Sequence, residues 1–370
     1  MTPTDVYFSS MRTTPRKNLL QKIDDLLARA GLPERVRPGD LTAVKIHFGE
    51  EGNTSFIRPI FARRVVEAIK ALGAKPFLTD TNTLYAGKRS EAVDHLTLAV
   101  SHGFDYAVVG APLIIADGLR GQSFVEREID GKHYKKTAIA SEFANADSAV
   151  VLSHFKGHEL SGIGGAIKNL GMGTAARHGK LSMHSKIAPK IKAKGCVGCS
   201  VCRKFCAHGA IAIANGKALI NPEKCAGCGQ CIIVCPSKTI QIQWTEGPSS
   251  MQEKMAEYAK GALAGKEDKA VFLNFLTQIS PACDCMPNAD SPLVADIGIL
   301  SSTDPVAIDQ ASADLVNSRQ GLVNSALKSG HAPGEDKFLG VHPNADWSIQ
   351  LAHAEKMGAG QRAYNLVEID

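Results

Sequence analysis

No apolar run in the 370 residues approaches the length that a membrane helix needs. The first residues, Met-Thr-Pro-Thr-Asp, carry neither the charged start nor the apolar stretch of a secretory leader. These absences argue against a membrane span and against an oxidising compartment, so a cytoplasmic chain with no membrane partner is expected. Cysteine is nearly missing outside one stretch, with eight of the ten residues between positions 196 and 235. A dinucleotide-binding fingerprint is also lacking, because its third glycine would have to stand where Ile167 is. What remains is an ordinary globular composition, 44% hydrophobic and 21% charged, long enough for two or three domains.

The cysteines carry the strongest signal. Cys196, Cys199 and Cys202 are three apart and are followed by Cys206; Cys225, Cys228 and Cys231 repeat the spacing and are followed by Cys235 and Pro236. In the bacterial ferredoxin run, three such thiolates wrap one [4Fe-4S] cluster and the fourth leaves to hold the other. Cys196, Cys199, Cys202 and Cys235 are therefore expected to hold one cluster, and Cys225, Cys228, Cys231 and Cys206 the second. The two halves match at an offset of 29 residues, Gly198 on Gly227, Ile211 on Ile240 and Ile213 on Ile242. Glycine in the turn lets the backbone close on a cluster, and isoleucines two apart predict short strands that cover it. Ala207 stands where the second run has Pro236, which loosens a turn without removing a ligand. A structural zinc site needs four cysteines, usually as two separated pairs, so the third cysteine of each run would have no use there.

The net charge of +5 omits the cofactors. Each oxidised cluster with its thiolates brings roughly two negative charges, so the loaded chain sits nearer neutrality and nucleic acid is not an expected partner. A local basic run precedes and enters the cysteine stretch: Lys180, Lys186, Lys190, Lys192, Lys194, Arg203 and Lys204. It reads either as a solvated linker face or as a docking surface for an acidic redox partner protein.

Along the chain, apolar runs alternate with one-sided helical patterns. Strands are predicted at 6–9, 41–48, 75–81 and 106–110, with helices at 19–30, 60–72 and 91–101. Residues 113–137 give no clear pattern. Strands follow at 149–154, 270–276 and 294–300, with a helix through Met251, Met255, Tyr258 and Ala262 and another capped by Asp304 with Pro305 in its first turn. Residues 364–369 could add an edge strand. This rhythm predicts an α/β fold, a largely parallel sheet with helices on both faces, interrupted by an inserted α+β ferredoxin-like 2[4Fe-4S] module. The boundaries read as 1–189 and 247–370 for the α/β domain and 190–246 for the insert.

Outside the cysteine runs, four groups draw notice. A glycine-rich turn between strand and helix can present N–H groups to an anion, which makes Gly162, Gly164, Gly165 and Asn169 candidates for cofactor binding, with Lys168 adding a cation. Tight turns and close packing would demand the same glycines. His154 and His158, four apart, would face one way if the segment were helical and could then share a metal or act as acid and base, with Lys156 orienting an anion. Cys283 and Cys285, adjacent but one, would be strained as a disulfide with each other but could bind a soft metal, act as nucleophiles, or simply be buried. His47, Glu50, Asp80 and Asn82 fall after strands, where α/β proteins build clefts, while Asp304 reads as a helix cap.

Lys45-Ile-His47-Phe-Gly-Glu50, Thr79-Asp80-Thr-Asn82-Thr-Leu-Tyr85, the segment from His154 to Gly173, Cys283-Asp-Cys285, and the stretch from Asp296 to Asp309 together resemble the domain-of-unknown-function family 362. The resemblance covers about residues 5–320. It implies a split domain, often with an inserted two-cluster ferredoxin module, and an iron-sulfur role without an agreed substrate. The expected function is a redox protein that relays single electrons through two [4Fe-4S] clusters to or from a site formed by His154, His158, Lys168, Cys283 and Cys285. A flavin, a nucleotide or a further metal stays open as an additional cofactor, a small-molecule substrate is open, and the oligomeric state is not legible. The alternatives are a non-catalytic electron carrier or adaptor, and a protein that delivers metal or clusters.

Overall fold

A computed structural model describes residues 2–185 and 187–369. Lys186 of the basic run lies outside the described residues. The centre is an eight-stranded sheet in the order Tyr364–Glu368, Thr4–Ser10, Gly298–Ser302, Ala270–Leu276, Ser148–His154, Leu41–Lys45, Lys75–Asp80 and Leu113–Ile115. Only Gly298–Ser302 runs against its neighbours, pairing antiparallel with both Thr4–Ser10 and Ala270–Leu276, so the sheet is mostly parallel.

Strands covered on both faces are apolar at every position rather than at alternate ones. Ser148–His154 is buried throughout, with Ala149 and Val151 on one core and Val150 and Leu152 on the other. Helices Leu19–Arg29 and Pro59–Ala71 cover the second core through Ile23, Leu26, Val65 and Ile69. Helices Pro248–Leu263 and Pro305–Asn317 cover the first through Met255, Ala259, Ile308 and Ala311. The expected α/β class and the edge strand at the C-terminus are present. The carboxyl ends of the parallel strands gather along one sheet edge, which places Lys45, Asp80 and His154 together.

Two local expectations are corrected, and one unplaced stretch is resolved. Residues 106–109 form a helix, not a strand: the Asp105 carboxylate accepts from Ala107 N at 2.6 Å and Val108 N at 3.1 Å, and Gly110 ends the turn at φ 75°. The strand predicted at 294–300 starts later, as Gly298–Ser302. The unplaced stretch 113–137 contains Leu113–Ile115 and half of a hairpin, Phe124–Glu128 against Lys136–Ala140.

Residues 190–246 form small elements apart from the large sheet. Lys190–Ile191 pairs with Ile240–Gln241, and Ile211–Ala214 with Lys217–Ile220 across Asn215 and Gly216, both at positive φ. Two short helices, Val201–Lys204 and Gln230–Val234, follow the first cysteines of each run. Gly198 and Gly227 share φ near 65°, and Ser200 adopts the left-handed conformation that Gly229 adopts 29 residues later. Among the described residues no helix is long and apolar enough to cross a membrane.

Candidate functional site

The carboxyl edge of the sheet opens into a cavity of about 450 Å³. Its wall combines strand ends (Lys45, Asp80, Leu152, His154), the glycine-rich segment, the helix Arg177–His184 and the loop around Cys285. Met172, Met251, Met255, Leu160 and Trp244 supply an apolar side.

Segment 154–164 is not helical. Lys156–His158 pairs with Gly162–Gly164 as a hairpin, so His154 and His158 do not lie on one helix face. His154 is used at both nitrogens, Nδ1 on the Asp284 carboxylate at 2.8 Å and Nε2 on the Thr277 carbonyl at 2.8 Å. Both partners only accept, so the ring donates twice and has no lone pair left for a metal or a substrate proton. Both ring nitrogens of His154, expected as a catalytic group, are thus engaged within the protein. Asp284 also receives Lys156 Nζ at 2.9 Å and Ser55 Oγ at 3.2 Å. Burial by itself would raise the Asp284 pKa, but the His154 and Lys156 charges outweigh it and hold the carboxyl well below its usual range.

That knot fixes the backbone between the two cysteines. Cys283 is 1% exposed, and its sulfur receives Lys168 Nζ at 2.9 Å and the Cys285 amide at 3.3 Å. The Cys285 side chain donates to it as well; that bond outweighs burial and, with Lys168 and His158, holds Cys283 well below the usual thiol range. The same bond, followed by burial, pushes Cys285 well above it. Cys283, with the Lys168 ammonium on its sulfur, is thus the more readily ionised of the two. Ligand atoms of His158, Cys283 and Cys285 lie within 4.8 Å of one another, as a soft metal would require. However, His158 Nδ1 accepts from the amides of Leu160 and Ser161, both at 3.1 Å, which leaves the ring proton on Nε2. A ligating imidazole needs the opposite arrangement, with the far nitrogen donating. The trio therefore suits a stabilised thiolate better than a metal ion.

The cavity floor is charged. Lys45 Nζ bridges Asp80 Oδ1 at 2.9 Å and Asn169 Oδ1 at 2.7 Å, and Arg89 joins Glu50 and Asp80. Tyr85 OH donates to Glu50 at 3.0 Å and receives Arg89. Lys180, expected on a linker face or a docking surface, is instead buried and donates to Thr81 Oγ1 and the Asn82 carbonyl, both at 2.5 Å. Among the described residues no carboxylate lies within ion-pair distance of it, and burial lowers its pKa to about 8. His184 donates Nδ1 to the Lys180 carbonyl and stacks edge-on against Trp244, and burial brings it down to about 4.

The glycine-rich segment is closed to an anion at its helix start. Ala166 N and Ile167 N already donate to Asp309, at 2.7 and 2.9 Å. A Cβ on Gly165 would stand 2.2 Å from Asp309 Oδ1, and one on Gly162 2.4 Å from the Ala345 carbonyl, so both glycines answer packing. Gly164, Gly165, Lys168 and Asn169 still line the cavity, and Gly162 does not. His47 and Asp80 also reach it, whereas Asn82 is turned to Asp117 and Asp304 caps its helix.

The eight remaining cysteines lie between positions 196 and 235. Cys196, Cys199, Cys202 and Cys235 surround one small void. Cys231 is raised to about 12, first by burial and then by Cys228, Cys225, Cys202 and Cys206. Among the described residues no three of these sulfurs lie within 4.8 Å of one another. Four thiolates on one zinc ion would stand ~3.8 Å apart, given Zn–S near 2.3 Å. Backbone amides of Ala210, Ala218 and Thr239 point at the sulfurs of Cys206, Cys196 and Cys235, as ligated thiolates favour. This segment touches the cavity wall. Leu84 lines the cavity and also packs with Cys196, Cys202 and Ile232 in one apolar cluster, while buried Arg177 joins Thr83 O to Gln230.

A family model described as "Domain of unknown function (DUF362)" matches residues 42–314. The chain belongs to the DUF362 family. Within it, 49 residues are 45% identical to a subunit of the ion-translocating oxidoreductase complex of Methanosarcina acetivorans, 13% of this chain and 19% of that protein. A subunit of the Na(+)-translocating ferredoxin:NAD(+) oxidoreductase complex of Acetobacterium woodii matches over 49 residues at 37% identity, 13% of this chain and 15% of that one. The chain thus spans under a fifth of the length of these relatives. With the repeated cysteine spacing, the matches support a ferredoxin-type iron-sulfur segment in this DUF362 chain. Among solved structures, the lactate racemase apoprotein from Thermoanaerobacterium thermosaccharolyticum aligns at 14% identity and TM-score 0.34, over 73% of this chain and 50% of that one. A protein from Thermotoga maritima aligns at 9% identity and TM-score 0.37, over 70% and 49%. Likenesses this weak carry nothing about chemistry.

Sequence reasoning did not single out Asp284, Arg89, Lys180 and His184 as site residues. One signal was readable: Lys45 ends an otherwise apolar strand, where a charge has to find a buried partner. The others are recruited by folding alone, since Asp284 lies 130 residues from His154.

Proposed function

We propose that this DUF362 chain is an iron-sulfur redox protein that exchanges single electrons between two [4Fe-4S] clusters and a substrate or further cofactor in the sheet-edge cavity. Cys196, Cys199, Cys202 and Cys235 would hold one cluster, and Cys225, Cys228, Cys231 and Cys206 the other, within an insert at about 190–246 of a domain formed by 1–189 and 247–370. When bound, such clusters supply one-electron storage at a potential set by hydrogen bonds and burial. The chain's own residues do the rest. Lys45, Arg89, Lys168 and Lys180 favour an anionic small molecule, the methionine side excludes water from its body, and Leu84 with Arg177 keeps the cysteine segment against the cavity. Exposed Lys190, Lys192, Lys194, Arg203 and Lys204 suit an acidic protein as the outside redox partner.

The observation that carries this reading is the shared wall, Leu84 belonging both to the cavity and to the cysteine cluster. It favours a redox unit over a free carrier, which gains nothing from a cavity of this size beside its centre. The test is reoxidation of the anaerobically reduced holoprotein by small anionic acceptors, followed optically. Lys180→Met should slow reoxidation at least tenfold while iron content stays unchanged. An equal rate in the variant for every acceptor would count against the cavity.

A further inference from the structure

Lys168 is a half-buried lysine whose ammonium donates to a sulfur, and among the described residues no carboxylate lies within ion-pair distance of it. A cysteine kept only for packing prefers apolar neighbours and stays neutral, so a cation placed on the buried sulfur of Cys283 calls for chemistry. The second sulfur is in reach: Cys283 and Cys285 have their Sγ atoms within 4.8 Å, with one amide and one side-chain hydrogen bond running from Cys285 to Cys283. Their environments differ. Cys283 is sealed behind Lys168, whereas Cys285 lines the cavity beside Met286 and Pro287. The tautomer of His158 sets it as a further donor toward the sulfur and removes it as a metal ligand.

We propose that Cys283 and Cys285 form a redox dithiol that stores two electrons beside the cavity. On oxidation the S–H bond of Cys285 breaks, an S–S bond forms to Cys283, one proton leaves on the cavity side, and two electrons depart. The account rests on the proposed function for its electron acceptors, two oxidised [4Fe-4S] clusters taking one electron each, and the reverse step rebuilds the thiolate and the thiol. It couples a pair of one-electron centres to a two-electron transfer. Because Lys168 and His158 stabilise the thiolate, they favour the reduced form and make the disulfide easier to reduce.

The test is a redox titration of the anaerobic holoprotein in dithiothreitol buffers, with acid quench, alkylation and mass spectrometry of the peptide containing residues 283–285. The peptide should pass from doubly alkylated to an unalkylated form two hydrogens lighter. Lys168→Met should shift the equilibrium about tenfold toward disulfide, ~30 mV for a two-electron couple. Cys285→Ser should leave Cys283 singly alkylated at every poise. Double alkylation at the most oxidising poise that leaves the iron in place would overturn the proposal, as would a midpoint unmoved by Lys168→Met. Iron content and visible absorbance of the same samples separate the two ideas. Cycling without iron sinks the proposed function alone, and iron without cycling sinks the dithiol alone.

Discussion

The large sheet and the cysteine segment are stabilised on opposite terms. The sheet sits between two extensive apolar cores, whereas the segment is covered by one cluster of eight buried side chains, two of them cysteines and two, Leu84 and Leu181, lent by the rest of the chain. So small a core offsets little of the entropy of ordering its residues, and under the proposed function cluster binding supplies the difference. The two sets of cysteines differ in the same way. Eight have no three sulfurs within 4.8 Å of one another among the described residues, while Cys283 and Cys285 lie close, with a cation on one sulfur and a carboxylate between them.

Removing iron should separate the regions most sharply. With a chelator, amide protection in Ile211–Ala214 and Lys217–Ile220 should vanish while that of Ser148–His154 and Ala270–Leu276 persists, read by hydrogen exchange; protection kept in both regions would erase the contrast. Asp284→Asn acts on the other side. It strands the buried charges of His154 and Lys156 and should cost about 3–5 kcal/mol in denaturant unfolding of the sheet with iron content unaltered. A loss under 1 kcal/mol would mean that the knot contributes little.

Glycine substitutions sharpen the comparison at smaller scale. Gly165→Ala puts a Cβ against Asp309 inside the sheet domain and should cost about 1–3 kcal/mol. Gly216→Ala meets open space and bears only its φ of 69°, about 1 kcal/mol, in the cysteine segment. Equal thermal shifts would contradict the difference in packing.

How far each region was legible follows from the same physics. The strand Ala270–Leu276, the helix starting at Pro305 and the cysteine repeat are written in local pattern, because apolar runs, caps and ligand spacing each act over a few residues. The helix Tyr106–Val109 is harder to read, since Val108 and Val109 look strand-like while the deciding signals, the cap at Asp105 and Gly110 behind it, flank the run. In the cavity the cysteines, Lys168 and His158 stand out by their chemistry. Asp284 is overshadowed by its neighbours, and the closing of the glycine-rich helix start by Asp309 depends on a contact 143 residues away.

The smallest effect expected at neutral pH is at His95, fully buried against Phe48 with neither nitrogen hydrogen-bonded. Burial lowers its pKa from 6.5 to about 3. Between those values the unfolded chain binds a proton that the folded chain refuses, so stability falls as pH drops through that window. His95→Leu should match the parent at pH ~7 and lose less stability on going to pH ~4.5, measured by urea unfolding. An unchanged pH slope would show that this ring does not contribute.

The central claim, two iron-sulfur clusters beside a redox cavity, is tested most directly by metal and acid-labile sulfide analysis of anaerobically purified protein. The account predicts about eight irons and about eight sulfides per chain. Zinc in their place, or iron sufficient for one cluster only, would contradict it.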